Sequence, residues 1–288
     1  MLGKWFTASE RRGIAFVAPG LLVTTLLILY PILSVLYYSF VNEGSAFVGL
    51  DNYSSVFRSP LFGKMLGNTA IWTVGTVALA FAIGTGAALL LNQDFVRGRN
   101  LWRTVLMLSW ITPGVVKAVV WKWLYSYDFG MLNHMLMSLH LIREPVSWLS
   151  STSLALPSVM LVQVWETFPY AMLMMSAGLQ AISKDLYEVA DLEGASGTQR
   201  LRLITLPLLK DVIFIALLIL IIWSLNGFTL IWIMTQGGPA GSTEVLALSI
   251  YDRFRDFDIH GASAISVLQL LISLVFAIWY IRRSAKEV

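Results

Sequence analysis

Three ionisable side chains, Lys117, Lys122 and Glu166, sit inside otherwise apolar stretches of this sequence, where a charge is costly unless paired or hydrated. Glu166 lies twelve residues into a 25-residue apolar segment, near mid-bilayer if that segment spans a membrane. Its neighbours Gln163, Trp165 and Tyr170, with Trp223, Ser224 and Asn226 on a later segment, offer flat faces and hydrogen-bonding groups. Aromatic faces meet the C–H patches of a sugar, and amides and carboxylates bind its hydroxyls. These seven residues are therefore candidates for contact with a polyhydroxylated solute. The competing expectation is that Glu166 pairs with Lys117 for structure while the aromatics only pack. Spacing alone leaves both open, because it does not say which helix faces meet. Lys122, near the end of its stretch, is expected to reach the membrane interface.

Other chemistry is poorly supported. His134, His140 and His260 are far apart and form no H-E-x-x-H pair, so a metalloprotease is unsupported. No G-x-x-x-x-G-K-[ST] loop occurs, which argues against ATP hydrolysis by the usual P-loop route. Zero cysteines remove disulfides, thiolate metal sites and cysteine nucleophiles. Gly84-Thr85-Gly86 lies inside an apolar stretch and reads as close helix packing rather than a dinucleotide fingerprint. Asn52-Tyr53-Ser54 fits a glycosylation sequon but carries no functional weight. An intramembrane enzyme would need a paired acid, base or nucleophile at one depth, and only Glu166 and Lys117 lie deep enough.

The elements that must position these residues follow from composition. Of 288 residues, 57% are apolar and 13% charged, against roughly 25% charged in a soluble domain. A polytopic membrane protein is the class that fits, and the net charge of +3 is too small to suggest nucleic acid. Six stretches reach the ~20 residues needed to cross a bilayer as a helix: about 14–41, 70–91, 104–124, 154–178, 212–234 and 262–281. None shows the alternation of a barrel strand, so the fold class is all-α with six transmembrane helices in one domain, 1–288. The first stretch is about twice as long as a signal peptide's apolar core and reads as a retained helix. Cations concentrate at the N-terminus (Lys4, Arg11, Arg12), in the second and fourth loops and at the C-terminus (Arg282, Arg283, Lys286), which predicts both termini on the cytoplasmic side. The stretch 131–141 is expected to form a helix on the outer surface.

The fourth loop, about 183–208, is the most informative. Asp185 and Glu188 stand early in a predicted helix, where carboxylates are favoured. Gly194 supplies the left-handed residue at which that helix stops, Ser196 caps a second one, and Pro207 is expected to end it. The result is a short helix-turn-helix on the cytoplasmic side, with Leu186, Val189, Ala190 and Ala195 as an apolar knob suited to a groove on another protein.

The pattern Glu188-x-Ala190-x-x-x-Gly194-Ala195, then Ile204-Thr205-Leu206-Pro207, resembles the EAA loop of ABC-importer permeases. The resemblance runs over most of the chain and is closest to the maltose-type sugar branch: Trp165-Glu166-Thr167-Phe168-Pro169-Tyr170 and Gly178-Leu179-Gln180-Ala181-Ile182 precede the loop, and Thr235-Gln236-Gly237-Gly238-Pro239 follows it. Gly49-Leu50-Asp51-Asn52-Tyr53 resembles the G-x-x-N-Y of this branch. Val189 and Glu193 are mild departures from the family pattern. The resemblance implies a type I ABC-importer permease fold in a bacterial or archaeal cytoplasmic (inner) membrane. It implies a second, different permease chain, two ATP-binding subunits that carry the ATP and Mg, and an external solute-binding protein. This chain would hold no cofactor or metal. Tyr187, Glu188, Ala190, Asp191, Gly194 and Ala195 would couple to the ATPase, and Gln236, Gly237, Gly238 and Pro239 would form an external loop meeting a partner. The positions of Glu166 and its neighbours correspond to the family's sugar cavity. A different polyol-type solute such as glycerol phosphate is the alternative; a carrier or channel outside this family would not need the fourth-loop knob.

Overall fold

The structure, a computed structural model, describes residues 8–284 apart from Asp94. Lys4 and Lys286, two of the cations behind the expected orientation, lie outside the described residues. The described chain is helical, with one isolated bridge between Val41 and Phe47 in place of any strand. It forms two compact units: the residues up to Ser59 with Ile250–Leu268, and Pro60–Ser249 with the residues from Gln269 onward.

Along the chain, α1 (Ala8–Thr24) continues through a π turn at Thr25–Leu29 into α2 (Tyr30–Tyr38). Pro31 at the start of α2 cannot donate an amide hydrogen bond, and the helix widens just before it. Between Arg12 and Tyr38 the apolar window has no buried residue, as expected of a helix whose sides are left to lipid. In α3 (Asp51–Arg58), Asn52 Nδ2 donates to the carbonyls of Ser39 and Val41, and Tyr53 donates to Ser39 Oγ at 2.8 Å. The Asn-Tyr pair of loop one therefore ties that loop to the end of α2.

The second unit begins with α4 (Phe62–Leu91), followed by α5 (Arg99–Ile111), α6 (Gly114–Leu124), α7 (Met131–Ser138) and α8 (Ala155–Ala181). Next come α9 (Lys184–Leu192), α10 (Gly197–Arg200), α11 (Leu206–Leu208), α12 (Lys210–Leu225) and α13 (Thr229–Met234), then α14 (Leu246–Arg255) and α15 (Ile259–Ser284), of which Ile250–Leu268 belong to the first unit. Helix α8 is the spine of this unit. Sixteen of its 27 residues are buried, against ten of the 30 in α4, and they include the polar Ser158, Gln163, Thr167 and Ser176. Around it Trp72, Val159, Val162, Leu230, Ile231 and Leu248 form one core, and Ala88, Met172, Met175, Leu179 and Leu209 another. Gly84 of α4 is pressed against α8: a Cβ there would stand 2.5 Å from the Phe168 carbonyl oxygen and 2.6 Å from Ala171 Cβ. The packing role expected of this glycine is met.

Among the described residues, four helical stretches are long and apolar enough to cross a membrane: Arg12–Tyr38, Phe62–Leu91, Lys210–Met234 and Ile259–Tyr280. A fifth results if α5 and α6 count as one span. The third expected span is thus not a continuous helix, and the fourth, α8, is long but too polar to be counted by composition. The surface helix expected over 131–141 is shorter, ending at Ser138.

Candidate solute cavity and coupling loop

Two helix breaks create the cavity. Between α5 and α6, Thr112 and Pro113 are both extended, with ψ of 134° and 137°, and the helices meet at 93°. A residue before proline is pushed out of the helical region, and the proline has no N–H to continue the ladder. Between α12 and α13 the chain opens at Asn226 and Gly227. There Gln269 Nε2 donates to the freed Leu225 carbonyl at 3.1 Å, and the Trp72 indole N–H donates to the Ser224 carbonyl at 3.0 Å. Gly227 lies so close to that indole that a Cβ would stand 3.0 Å from Nε1. Irregular backbone is tolerated at membrane depth where protein or a water-filled cavity receives its polar groups.

A cavity of about 380 Å³ lies between the breaks. Trp110 and Gly114 line it from the first break, Gln163, Glu166 and Thr167 from α8, and Trp223 with Asn226–Leu230 from the second. Of the seven candidate solute residues, Gln163, Glu166, Trp223 and Asn226 are brought together here. Tyr170 is not on the wall but packs on Trp223, with ring centres 4.7 Å apart, and both rings lie near Trp110. Trp165 stands elsewhere, edge-on to Trp121 at 5.5 Å. Ser224 is buried and its hydroxyl has no partner, so it faces protein rather than the cavity.

Glu166 is not an uncompensated carboxylate. Its Oε1 lies 2.6 Å from Lys117 Nζ, which also reaches the Ser109 carbonyl at 3.3 Å. The Lys117 side chain is 1% exposed and that of Glu166 is 22% exposed. The bend carries Lys117, one turn into α6, against α8. A straight helix, assumed from sequence, gave no reason to choose this face. Lys122 is exposed in the last turn of α6, and its ammonium donates to the Ile233 carbonyl near the end of α13 at 2.9 Å. Trp110, Gly114, Phe228 and Thr229 were not foreseen as lining residues. Their signal was present in Thr112-Pro113-Gly114 and Asn226-Gly227, turn chemistry inside apolar stretches.

The fourth loop folds as a braced knob. Ser183 caps α9 by accepting from the Asp185 amide, and Gly194 ends it at φ +77°. Ser196 and Gln199 then form a reciprocal capping box at the start of α10. Tyr187 hydroxyl meets Thr205 Oγ1 at 2.9 Å, and Arg200 pairs with Asp191. Ala190 is buried, so it packs inside the knob rather than on its surface, and Ala195 is half-buried. The exposed apolar residues include Leu186, Val189, Leu203, Leu206, Leu208 and Leu192, the last 89% exposed. Pro207 does not terminate the second helix. The chain passes through a π turn at Leu201–Thr205 and α11, and turns irregular only at Leu209. Beyond α13, Gln236 and Gly237 both take positive φ. A side chain at Gly237 would run into the Glu244 carboxylate, and Thr243 Oγ1 donates to the Gly238 carbonyl. This loop is therefore shaped by its own packing.

Comparison with known proteins gives the same lineage along nearly the whole chain. Residues 78–286 match the family described as binding-protein-dependent transport system inner membrane component. The trehalose/maltose transport system permease protein MalF of Thermococcus litoralis is 34% identical over 278 residues, 94% of this chain and 93% of that one. The sulfoquinovosyl glycerol transport system permease protein SmoG of Agrobacterium fabrum is 33% identical over 287 residues, 97% and 92% of the two chains. A crystal structure of a bacterial alginate ABC transporter, in complex with an alginate pentasaccharide-bound periplasmic protein, superposes with a TM-score of 0.85 at 20% identity, covering 96% of this chain and 95% of that chain. With a family match over most of its length and relatives above 30% identity end to end, this chain belongs to the inner membrane components of binding-protein-dependent transport systems, the permeases of ABC transporters.

Proposed function

We propose that this chain is one permease subunit of an ATP-driven importer for a sugar or small oligosaccharide delivered by an external binding protein. The observation that carries the reading is the cavity between two broken helices, where a carboxylate, two amides and two tryptophans face a space of about 380 Å³. That lining offers acceptors, donors and an apolar face together, as recognition of a polyol requires. Relatives named for trehalose/maltose and for sulfoquinovosyl glycerol support the solute class.

In this reading α8 and the bent α5–α6 pair complete six spans, both termini are cytoplasmic, and the chain is a single functional domain. A second, different permease supplies the opposite wall. Two ATP-binding subunits hold ATP and Mg, and one receives the knob of residues 183–208. Tyr187, Asp191 and Ala190 hold the knob's shape, Gly194 turns it, and Glu188 with Leu186, Val189 and Leu192 meets the ATPase. Closure of the ATPases moves the knob and rocks the helices that follow α11. Gln236–Pro239 lies on the outer side, at the partner permease or the binding protein.

The test is co-expression with candidate partner subunits, purification, and measurement of ATPase stimulation by trehalose, maltose and longer glucans with the binding protein present. A complex that contains a P-loop ATPase and responds to one of these is expected. A chain that purifies without an ATPase subunit under conditions in which its partners are present would overturn the reading.

A further inference from the structure

The Lys117–Glu166 pair faces the cavity with one end only. Glu166 is on the wall; Lys117 is behind it, enclosed, with its ammonium held between Glu166 Oε1 and the Ser109 carbonyl. The other side chains on the wall, among them Gln163, Thr167, Trp223, Asn226 and Thr229, carry no formal charge. At each break a helix C-terminus stands beside a helix N-terminus, α5 by α6 and α12 by α13, so their partial charges oppose. Among the described residues, the carboxylate is the one formal charge on the lining of this space.

From this one-sided arrangement we infer that the cavity wall is a charge filter that admits uncharged or cationic polyols and disfavours anionic glycosides such as uronates and sulfonates. The inference rests on the cavity being the solute path. It separates this chain from relatives whose named solutes include a sulfonated glycoside, although overall similarity does not. The buried ammonium does not reverse the sign, because it is farther from the solute than the carboxylate it neutralises. A unit charge about 6 Å from the carboxylate and about 8.5 Å from the ammonium, at an effective dielectric constant near 20, changes its local concentration by roughly fourfold. Cation and anion move in opposite directions, so their ratio shifts by roughly fifteenfold.

The natural chain has no cysteine, which makes the potential measurable without knowing the solute. Thr229 is exposed on the cavity wall. Thr229→Cys, in the transporter assembled with its partner permease and ATPase subunits, is labelled with two methanethiosulfonates of similar size, one bearing trimethylammonium and one sulfonate. Adducts are counted by mass on this chain, and each rate is normalised to that of a free thiol. The expected ratio favours the cationic reagent by roughly fifteenfold, and adding Glu166→Gln brings it below one. Should that variant not assemble, Lys117→Met with Glu166→Gln removes both charges, and the cation preference is expected to disappear. A ratio equal to that of the free thiol, or one indifferent to loss of the carboxylate, overturns the filter while leaving the solute path intact. If neutral methyl methanethiosulfonate fails to label the Thr229→Cys variant in every nucleotide state, the solute path itself is overturned, and the filter with it.

Discussion

The ion pair at the cavity wall predicts an asymmetry in stability that can be worked from its geometry. At 2.6 Å and an effective dielectric constant near 20 the two charges attract by about 6 kcal/mol, and most of that is offset by the water each gave up. The net value of the intact pair is therefore small, while the cost of breaking it depends on which partner remains. Glu166→Gln strands an ammonium that is 1% exposed and has the Ser109 carbonyl, 3.3 Å away, as its other partner. That variant should lose about 3–5 kcal/mol, the usual cost of an uncompensated buried charge. Lys117→Met leaves a carboxylate that is 22% exposed at the cavity, where water can reach it, and should lose about half as much. The double variant Lys117→Met with Glu166→Gln should return to within about 1 kcal/mol of wild type, since both charges are gone. The assay is the thermal unfolding midpoint of the assembled transporter in lipid nanodiscs, read as a rank order because such complexes unfold irreversibly. Equal losses in the two single variants, or a double variant as unstable as their sum, would refute the reasoning.

Gly84→Ala should lower the same midpoint, because a methyl 2.5 Å from the Phe168 carbonyl forces α4 and α8 apart at a cost of about 1–3 kcal/mol. Gly86→Ala, two residues along with no heavy atom within 4 Å, should raise stability by about 0.5–1 kcal/mol. Equal effects at the two positions would deny the close approach. In the knob, Gly194→Val forces a β-branched residue into φ +77°, a strain of roughly 1–2 kcal/mol with no steric neighbour to blame. Uptake per ATP hydrolysed is expected to fall while the chain still inserts, and an unchanged ratio would count against the knob as the lever. Tyr187→Phe, which removes only the hydroxyl that meets Thr205, should weaken that ratio less and leave ATPase binding in place.

The parts of the molecule that sequence reading reached were those set by composition and local backbone chemistry. Apolar length marked the four helices long and apolar enough to cross a membrane, and Gly194 and Ser196 marked the turn of the knob because left-handed backbone and amide capping have few chemical solutions. Gly84 was legible as a packing residue because a glycine inside an apolar helix lets a neighbouring helix approach closely. What stayed hidden depended on which faces meet in three dimensions. Ala190 looked like part of a docking surface because it is small and apolar in a loop expected to protrude, yet it is buried in a knob braced by the Tyr187–Thr205 and Asp191–Arg200 contacts.

The cavity was missed in outline although its signals were in plain view. Thr112-Pro113-Gly114 and Asn226-Gly227 interrupt the third and fifth apolar stretches, and hydropathy averaging smooths over both. Without the first break α6 would continue along the line of α5, and nothing would direct Lys117 toward α8. With the break, α6 crosses at 93° and its first turn delivers the ammonium to Glu166. The second break turns Asn226 and Thr229 toward the same space and leaves a free carbonyl that Gln269 satisfies. Helix interruption, ion pairing and cavity are thus one feature: the proline that costs α5 its continuation is what lets a lysine neutralise Glu166 while keeping that carboxylate, and not itself, on the cavity wall.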